Sequence, residues 1–306
     1  MNVLRRAATF AAAMSLSLSL GITPAVALAR GGLPAWACSP ADVAAGVGST
    51  ARGGIADSRG VIREKDTGQV ADSMPRSAIG KASATLTVSV PIWFHVITDG
   101  ALGNLTDRQL RSQVAVMSAA FGGSDTGFSF TLGGVTRTNN AVWYASKSAG
   151  AEHAMKQALK VPGDNVLNVY TSTAGAYLGY AYLPEITDTA QAYLDGIVVD
   201  WETFPNASDT WAGIYDEGDT LVHEAGHWLN LEHTFFGQCN RTGDFVDDTP
   251  AEKSAAFGCQ VGRDTCSAPG LDPIHNYMDY SDDPCLTEFT AGQAQRMRDA
   301  WLFYRA

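Results

Sequence analysis

"LVHEAGHWLNLEHTF", residues 221–235, holds three of the chain's six histidines within eleven positions. On a helix, His223 and His227 stand one turn apart, so their imidazoles rise from one face with Cβ atoms about 5–6 Å apart. That separation suits two nitrogens converging on a zinc ion with bonds of about 2.0–2.1 Å. Glu224, one residue further round, comes beside the metal rather than on it, where a general base takes a proton from a metal-activated water. His233 imposes a condition, because six more helical residues would carry it about 240° away from His227. It can be a ligand only if the helix stops first. Asn230 supplies a reason to stop, since Asn is second only to Gly in entering the left-handed conformation that ends helices. The stretch is therefore either a three-histidine zinc site with an open fourth position or an ordinary polar helix.

The 306-residue chain is 45% hydrophobic, enough for a packed core. Residues 1–29 combine Arg5 and Arg6, an apolar run over 7–22, and small residues at Ala25, Ala27 and Ala29, the pattern of a secretory signal peptide. Serines and a glycine interrupt the run and a cleavage-type site follows it, so no permanent membrane anchor is expected. The net charge of −11 repels nucleic acid and anionic membranes, and neither is an expected partner. Residues 30–85, rich in Gly, Ala, Ser and Arg and without periodicity, have the composition of a linker or removable pro-segment. The catalytic domain is expected to span residues 86–306 and to act as a monomer.

Strands are expected at "LTVSVPIWFHVI" (86–97), "FSFTLGGVTRT" (128–138, strand or hairpin), "VLNVYTS" (166–172), "LGYAYLP" (178–184) and "GIVVDW" (196–201). Thr106 with Gln109, and Thr290 with Gln293, form capping boxes that open two helices, and Leu110, Val114, Met117 and Phe121 line one face of the first. A short helix is expected over residues 152–159. Four of the five cysteines follow the His-rich stretch in a loop-rich region and allow three pairings. Asp244, Asp247, Asp248, Thr249 and Glu252 place hard oxygens close together, either as a calcium site or as a solvated acidic loop. His95 reads as a strand residue bonded in the core. His275 reads either as a support of the site or as a loop histidine.

His223, Glu224, His227 and His233 match the zinc signature of metzincin metallopeptidases, with Asn230 where that signature usually has Gly. "HNYMDYSDD" (275–283) resembles the methionine turn of that group, and "VDDTPAE", "FGCQVGRDTC" and "FTAGQAQRM" resemble the secreted pappalysin (M43-type) family in particular. The resemblance implies an α+β fold with a five-stranded mixed sheet and two helices in an upper subdomain. A loop-rich, disulfide-bonded lower subdomain with a C-terminal helix would follow. It implies one catalytic zinc ion, Met278 as a hydrophobic floor beneath the ligands, and Tyr280 as donor to the oxyanion. It also implies the bridges Cys239–Cys266 and Cys259–Cys285, calcium near the acidic loop, and substrate paired along the edge strand "LGYAYLP". Cys38, ahead of the domain, is a candidate zymogen switch, although the Arg and Gly that usually flank such a cysteine are missing from "AWACSPAD". The expected function is that of a secreted zinc endopeptidase acting on proteins or peptides. The competing reading is a non-catalytic metal-binding or adhesion module on the same scaffold. Asp282 and Asp283 beside the turn point to a basic residue after the scissile bond.

Overall fold

A computed structural model describes residues 74–306 except positions 176 and 241. The expected signal peptide and Cys38 lie outside the described residues. The β-branched and aromatic runs form β1 (Val88–Thr98), β2 (Phe128–Asn139), β3 (Leu167–Ser172), β4 (Gly179–Ala181) and β5 (Ile197–Asp200). These pair in the order β2-β1-β3-β5-β4, with the first four parallel and β4 antiparallel at one edge. The sheet is thus mixed and five-stranded, within an α+β fold.

The helices are α1 (Asp107–Gly123), α2 (Ala141–Ala145), α3 (Ala149–Leu159), α4 (Asp219–Trp228) and α5 (Ala291–Ala300). Both capping boxes close reciprocally, at the starts of α1 and α5. Alternate residues of the strands face opposite ways. Val90, Ile92, Phe94 and Val96 of β1 therefore join a core with Leu110 and Phe121 of α1 and Leu221 and Val222 of α4. Tyr170, Tyr180 and Val198 face the other side, where Tyr144 of α2 and Met155 of α3 cover them. With both faces covered, β3 is buried throughout, and that is why it reads as a nearly unbroken strand run rather than an alternating one.

Three local readings are refined. "FSFTLGGVTRT" is a single strand, not a hairpin, because its two glycines lie under the indole of Trp93. A Cβ at Gly133 or Gly134 would come within 2.9 or 2.6 Å of that ring, and the strand passes it with a register shift instead of turning. "LGYAYLP" pairs only over Gly179–Ala181, and Pro184 then starts a short 3-10 turn. The five-residue α2, capped by Asn140, was not expected.

The packed body also begins ahead of Leu86. Met74 is 3% exposed against Ala300 and Tyr304. The backbone N–H groups of Gly80, Lys81 and Ala82 donate to the buried carboxylate of Asp299 on α5, at 2.6, 2.8 and 2.8 Å. Composition conceals this docking because the groups that bind are backbone amides, which every sequence carries.

Candidate active site

All ten residues of α4 are buried, so this is a core helix whose ends need protein partners. At its start, Asp283 Oδ2 accepts the N–H of Glu217 at 2.9 Å and of Asp219 at 3.4 Å. At its end the helix stops as the third histidine requires. Asn230 has φ +76°, its N–H donates to the His227 carbonyl at 2.8 Å, and Leu231 N–H donates to the Gly226 carbonyl at 2.9 Å. These two bonds make a Schellman turn with Asn in the left-handed position.

The reversal brings His233 back to the helix face. Nε2 of His227 lies 3.1 Å from Nε2 of His223 and 3.1 Å from Nε2 of His233. Nδ1 of His223 donates to the Tyr277 carbonyl at 2.6 Å, and Nδ1 of His227 donates to the Leu231 carbonyl at 2.7 Å. A carbonyl only accepts, so both Nδ1 atoms carry the proton and both Nε2 atoms present lone pairs to each other. Burial, followed by the charge of neighbouring imidazoles, lowers the His223 pKa to about 3 and that of His227 well below its ordinary value. Neutral rings with converging lone pairs fit a cation between them. A tetrahedral zinc with bonds of about 2.05 Å spaces its ligand nitrogens about 3.3 Å apart.

Glu224, 2% exposed, lies against the edge strand. A Cβ at Gly179 would sit 2.9 Å from its Cγ and its Oε1. Met278 is fully buried beneath the helix, and a Cβ on Gly226 would collide with its sulfur. The Tyr280 hydroxyl stands 3.1 Å from Nε2 of His233, at the histidine cluster rather than packed away in the turn. Cys239 is joined to Cys266 and Cys259 to Cys285. The second bridge ties the loop after α4 to the segment following Tyr280. His275 donates to the Cys285 carbonyl at 2.7 Å and so supports that segment. His95 is buried between Thr136 and Asn168, at 2.8 and 2.9 Å.

The acidic loop disperses. Asp244 is 3% exposed and accepts the Val246 N–H at 3.1 Å. Asp248 caps α5 through Thr290 Oγ1 at 2.7 Å and the Gly292 N–H at 2.8 Å. Glu252 accepts from Thr234 at 2.9 Å and pairs with Arg263, while Asp247 stays exposed. Asp244, Asp248 and Glu252 thus go to separate contacts, and the calcium expectation gains no support.

A pocket opens beside His223 and Glu224, lined also by Asp219, Asp279, Tyr280 and Asp283. Asp283 is there, as its place beside the turn suggested, whereas Asp282 turns to the Gly258 N–H at 3.2 Å. Asp219 was missed, since an acidic residue in the first turn of a helix reads as a dipole partner. Burial first, and then a neighbouring carboxylate, raise Asp219 to about 7 and Asp283 well above the ordinary carboxylate range.

Residues 206–301 match the profile of peptidase family M43, described as pregnancy-associated plasma protein-A. The chain is 42% identical over 242 residues to an extracellular metalloprotease of Pyricularia oryzae, which spans 77% of this chain and 82% of that relative. It is 43% identical over 234 residues to one from Colletotrichum graminicola, spanning 74% and 81%. Among solved structures it resembles Tannerella forsythia promirolysin, with a TM-score of 0.61 at 26% identity over 72% of this chain and 83% of that one. It also resembles mature mirolysin in complex with a cleaved peptide, with a TM-score of 0.58 at 28% identity over 69% and 90%.

Proposed function

The chain belongs to the pappalysin (M43) family of metallopeptidases, and from that membership we propose that it is a secreted zinc-dependent endopeptidase made as a precursor. The observation that carries the zinc assignment is the set of three facing Nε2 atoms, two of them on rings whose Nδ1 protons are committed to carbonyls. His223, His227 and His233 hold the ion. When bound, zinc supplies Lewis acidity that makes water a nucleophile near neutral pH and polarises the scissile carbonyl.

The chain's own residues do the rest. Glu224 accepts the proton of the attacking water and returns it to the leaving amine. The Tyr280 hydroxyl donates to the oxygen that becomes negatively charged as the tetrahedral intermediate forms. The free edge of β4 offers backbone N–H and C=O groups to an extended substrate. Asp219, once ionised, makes the adjoining pocket suitable for a cationic side chain after the scissile bond, with Asp283 in the pocket wall. Secretion is supported by the amino-terminal pattern and by relatives named extracellular metalloproteases. Cys38 is retained as a candidate for latency. Because residues 74–85 dock on α5, the removable segment ends ahead of Met74.

The test is cleavage of casein or gelatin by purified protein, with and without chelator, beside Glu224→Gln. Chelation should abolish cleavage and Glu224→Gln should reduce it about 10²–10⁴-fold, the typical contribution of a general base. Equal activity of the two proteins would overturn the mechanism, and stoichiometric zinc without cleavage of any peptide would favour a binding module.

A further inference from the structure

We propose that Arg296 and Arg305, from the last helical segment of the chain, are positioning residues for the metal ligands. They clamp the carbonyls left open where α4 ends and so hold the turn that delivers His233 and orients His227. The proposal rests on the zinc assignment above for its consequence, though not for its geometry.

A helix end leaves carbonyls without intrahelical partners, and at a protein surface water satisfies them. The end of α4 is buried, so donors must come from the protein. The turn itself uses the carbonyls of Ala225, Gly226 and His227. The Trp228 carbonyl receives two N–H groups of Arg305, Nε at 3.1 Å and Nη2 at 2.8 Å. The Asn230 carbonyl receives Nε of Arg296 at 2.7 Å. The Leu231 carbonyl then receives Nδ1 of His227. The clamped turn thus leads directly into the carbonyl that fixes the tautomer of a metal ligand, and two residues later into His233.

Each arginine is itself held. Arg305 stacks 3.6 Å over the Trp228 ring, donates to the Asp164 carbonyl at 2.9 Å, and pairs with Asp195 at 3.0 and 3.4 Å. Arg296 lies over the Phe245 ring at 5.4 Å. Burying two guanidinium groups is costly, so their convergence on one short turn needs a reason. Asn230 provides it, because a residue with a Cβ at φ +76° is strained where Gly would not be. Bonds to the flanking carbonyls keep the strained residue from reverting to helix and carrying His233 away.

The experiment compares wild type, Arg296→Gln, Asn230→Gly and the double variant. Zinc affinity is read by chelator competition, and hydrogen exchange of the Asn230 and Leu231 amides is read in the metal-free protein. Arg296→Gln should weaken zinc about tenfold, the lower end for losing a group that orients a ligand, and should speed exchange at Leu231. Adding Asn230→Gly should bring affinity back to within about threefold of wild type, because Gly takes positive φ without strain. Thermal stability alone cannot produce that rescue. Unchanged affinity and exchange in Arg296→Gln, or a loss that Asn230→Gly leaves untouched, would overturn the proposal. Should Arg296→Gln not fold, Arg305→Lys is read in the same way. It cannot bond the Trp228 carbonyl twice while pairing with Asp195, and wild-type exchange and affinity in it would equally overturn the clamp. A wild-type protein that binds no zinc would instead overturn the zinc assignment, and the exchange data would still decide the clamp.

Discussion

Asp299→Asn tests whether residues 74–85 belong to the catalytic body. In the native protein Oδ2 of Asp299 accepts the Gly80 N–H, and Oδ1 accepts the N–H groups of Lys81 and Ala82 together with Nε2 of Gln295 at 3.2 Å. An asparagine must turn its NH2 toward one of these sets of donors. The less costly choice faces exposed Gly80, where water can replace the lost bond. A charge-assisted bond nets about 1.5–3 kcal/mol and a neutral one about 0.5–1.5. Losing the Gly80 bond and weakening the Lys81 and Ala82 bonds by roughly 1 kcal/mol each, with the longer Gln295 bond left aside and a discount for hydration at Gly80, gives about 2–4 kcal/mol of destabilisation. For a body of this size that corresponds to a Tm lower by roughly 4–16 °C. Urea unfolding measures the loss. Trypsin, applied in a Glu224→Gln background to prevent self-cleavage, should nick faster at the exposed Arg76 and Lys81. Stability within about 0.5 kcal/mol of the parent, the range of ordinary surface changes, with unaltered nicking would refute the docking argument.

Other outcomes follow from the same geometry. Gly179→Ala places a Cβ 2.9 Å from the Glu224 carboxylate arm. It should lower kcat about 100-fold, as a misplacement of about 1 Å does, with zinc content unchanged; a wild-type kcat would count against Glu224 as the base. In the pocket, Asp219 is raised from 3.8 to about 7, so it is neutral at low pH and ionised above neutrality. KM for substrates with Arg or Lys after the scissile bond should therefore fall as pH rises through about 7, and Asp219→Asn should flatten that profile. The sign for stability is opposite, because the folded state keeps this proton longer than the unfolded chain does. The carboxyl's contribution declines between pH 3.8 and about 7, and metal-free Asp219→Asn should lose less stability over that window. Removing zinc should lower Tm reversibly, since an ion bound only by the folded state at 100 times its Kd adds about 2.7 kcal/mol; a Tm insensitive to chelator would speak against a bound metal.

Much of this protein is legible one segment at a time. The spacing of His223 and His227 follows from the 3.6-residue turn, and the Thr106 and Thr290 capping boxes are exchanges within four residues that need no knowledge of the fold. The strand runs are visible because burial on both faces fills them with β-branched and aromatic side chains. Their pairing is not visible. "FSFTLGGVTRT" reads equally well as a hairpin until Trp93, thirty-five positions or more upstream, is seen to cover its glycines. The acidic loop shows the same limit, since a cluster in sequence becomes a helix cap, a buried carboxyl and an ion pair once Thr290 and Arg263 arrive.

By itself the sequence determined which side chains are candidates for the ligands and for the base beside them, and the need for a break between His227 and His233 if both are to face one ion, because these are consequences of local chain geometry and side-chain chemistry. Only the tertiary structure decided whether the break occurs and what holds it. Asn230 ends a helix only at some strain, so whether it does so falls to partners that are near in space and remote along the chain. Those partners are Arg296, 66 residues from the carbonyl it binds, and Arg305, 77 residues from its own. The docking of residues 74–85 on Asp299 is of the same kind, made of backbone amides that acquire meaning only when a carboxylate more than two hundred residues away is packed against them.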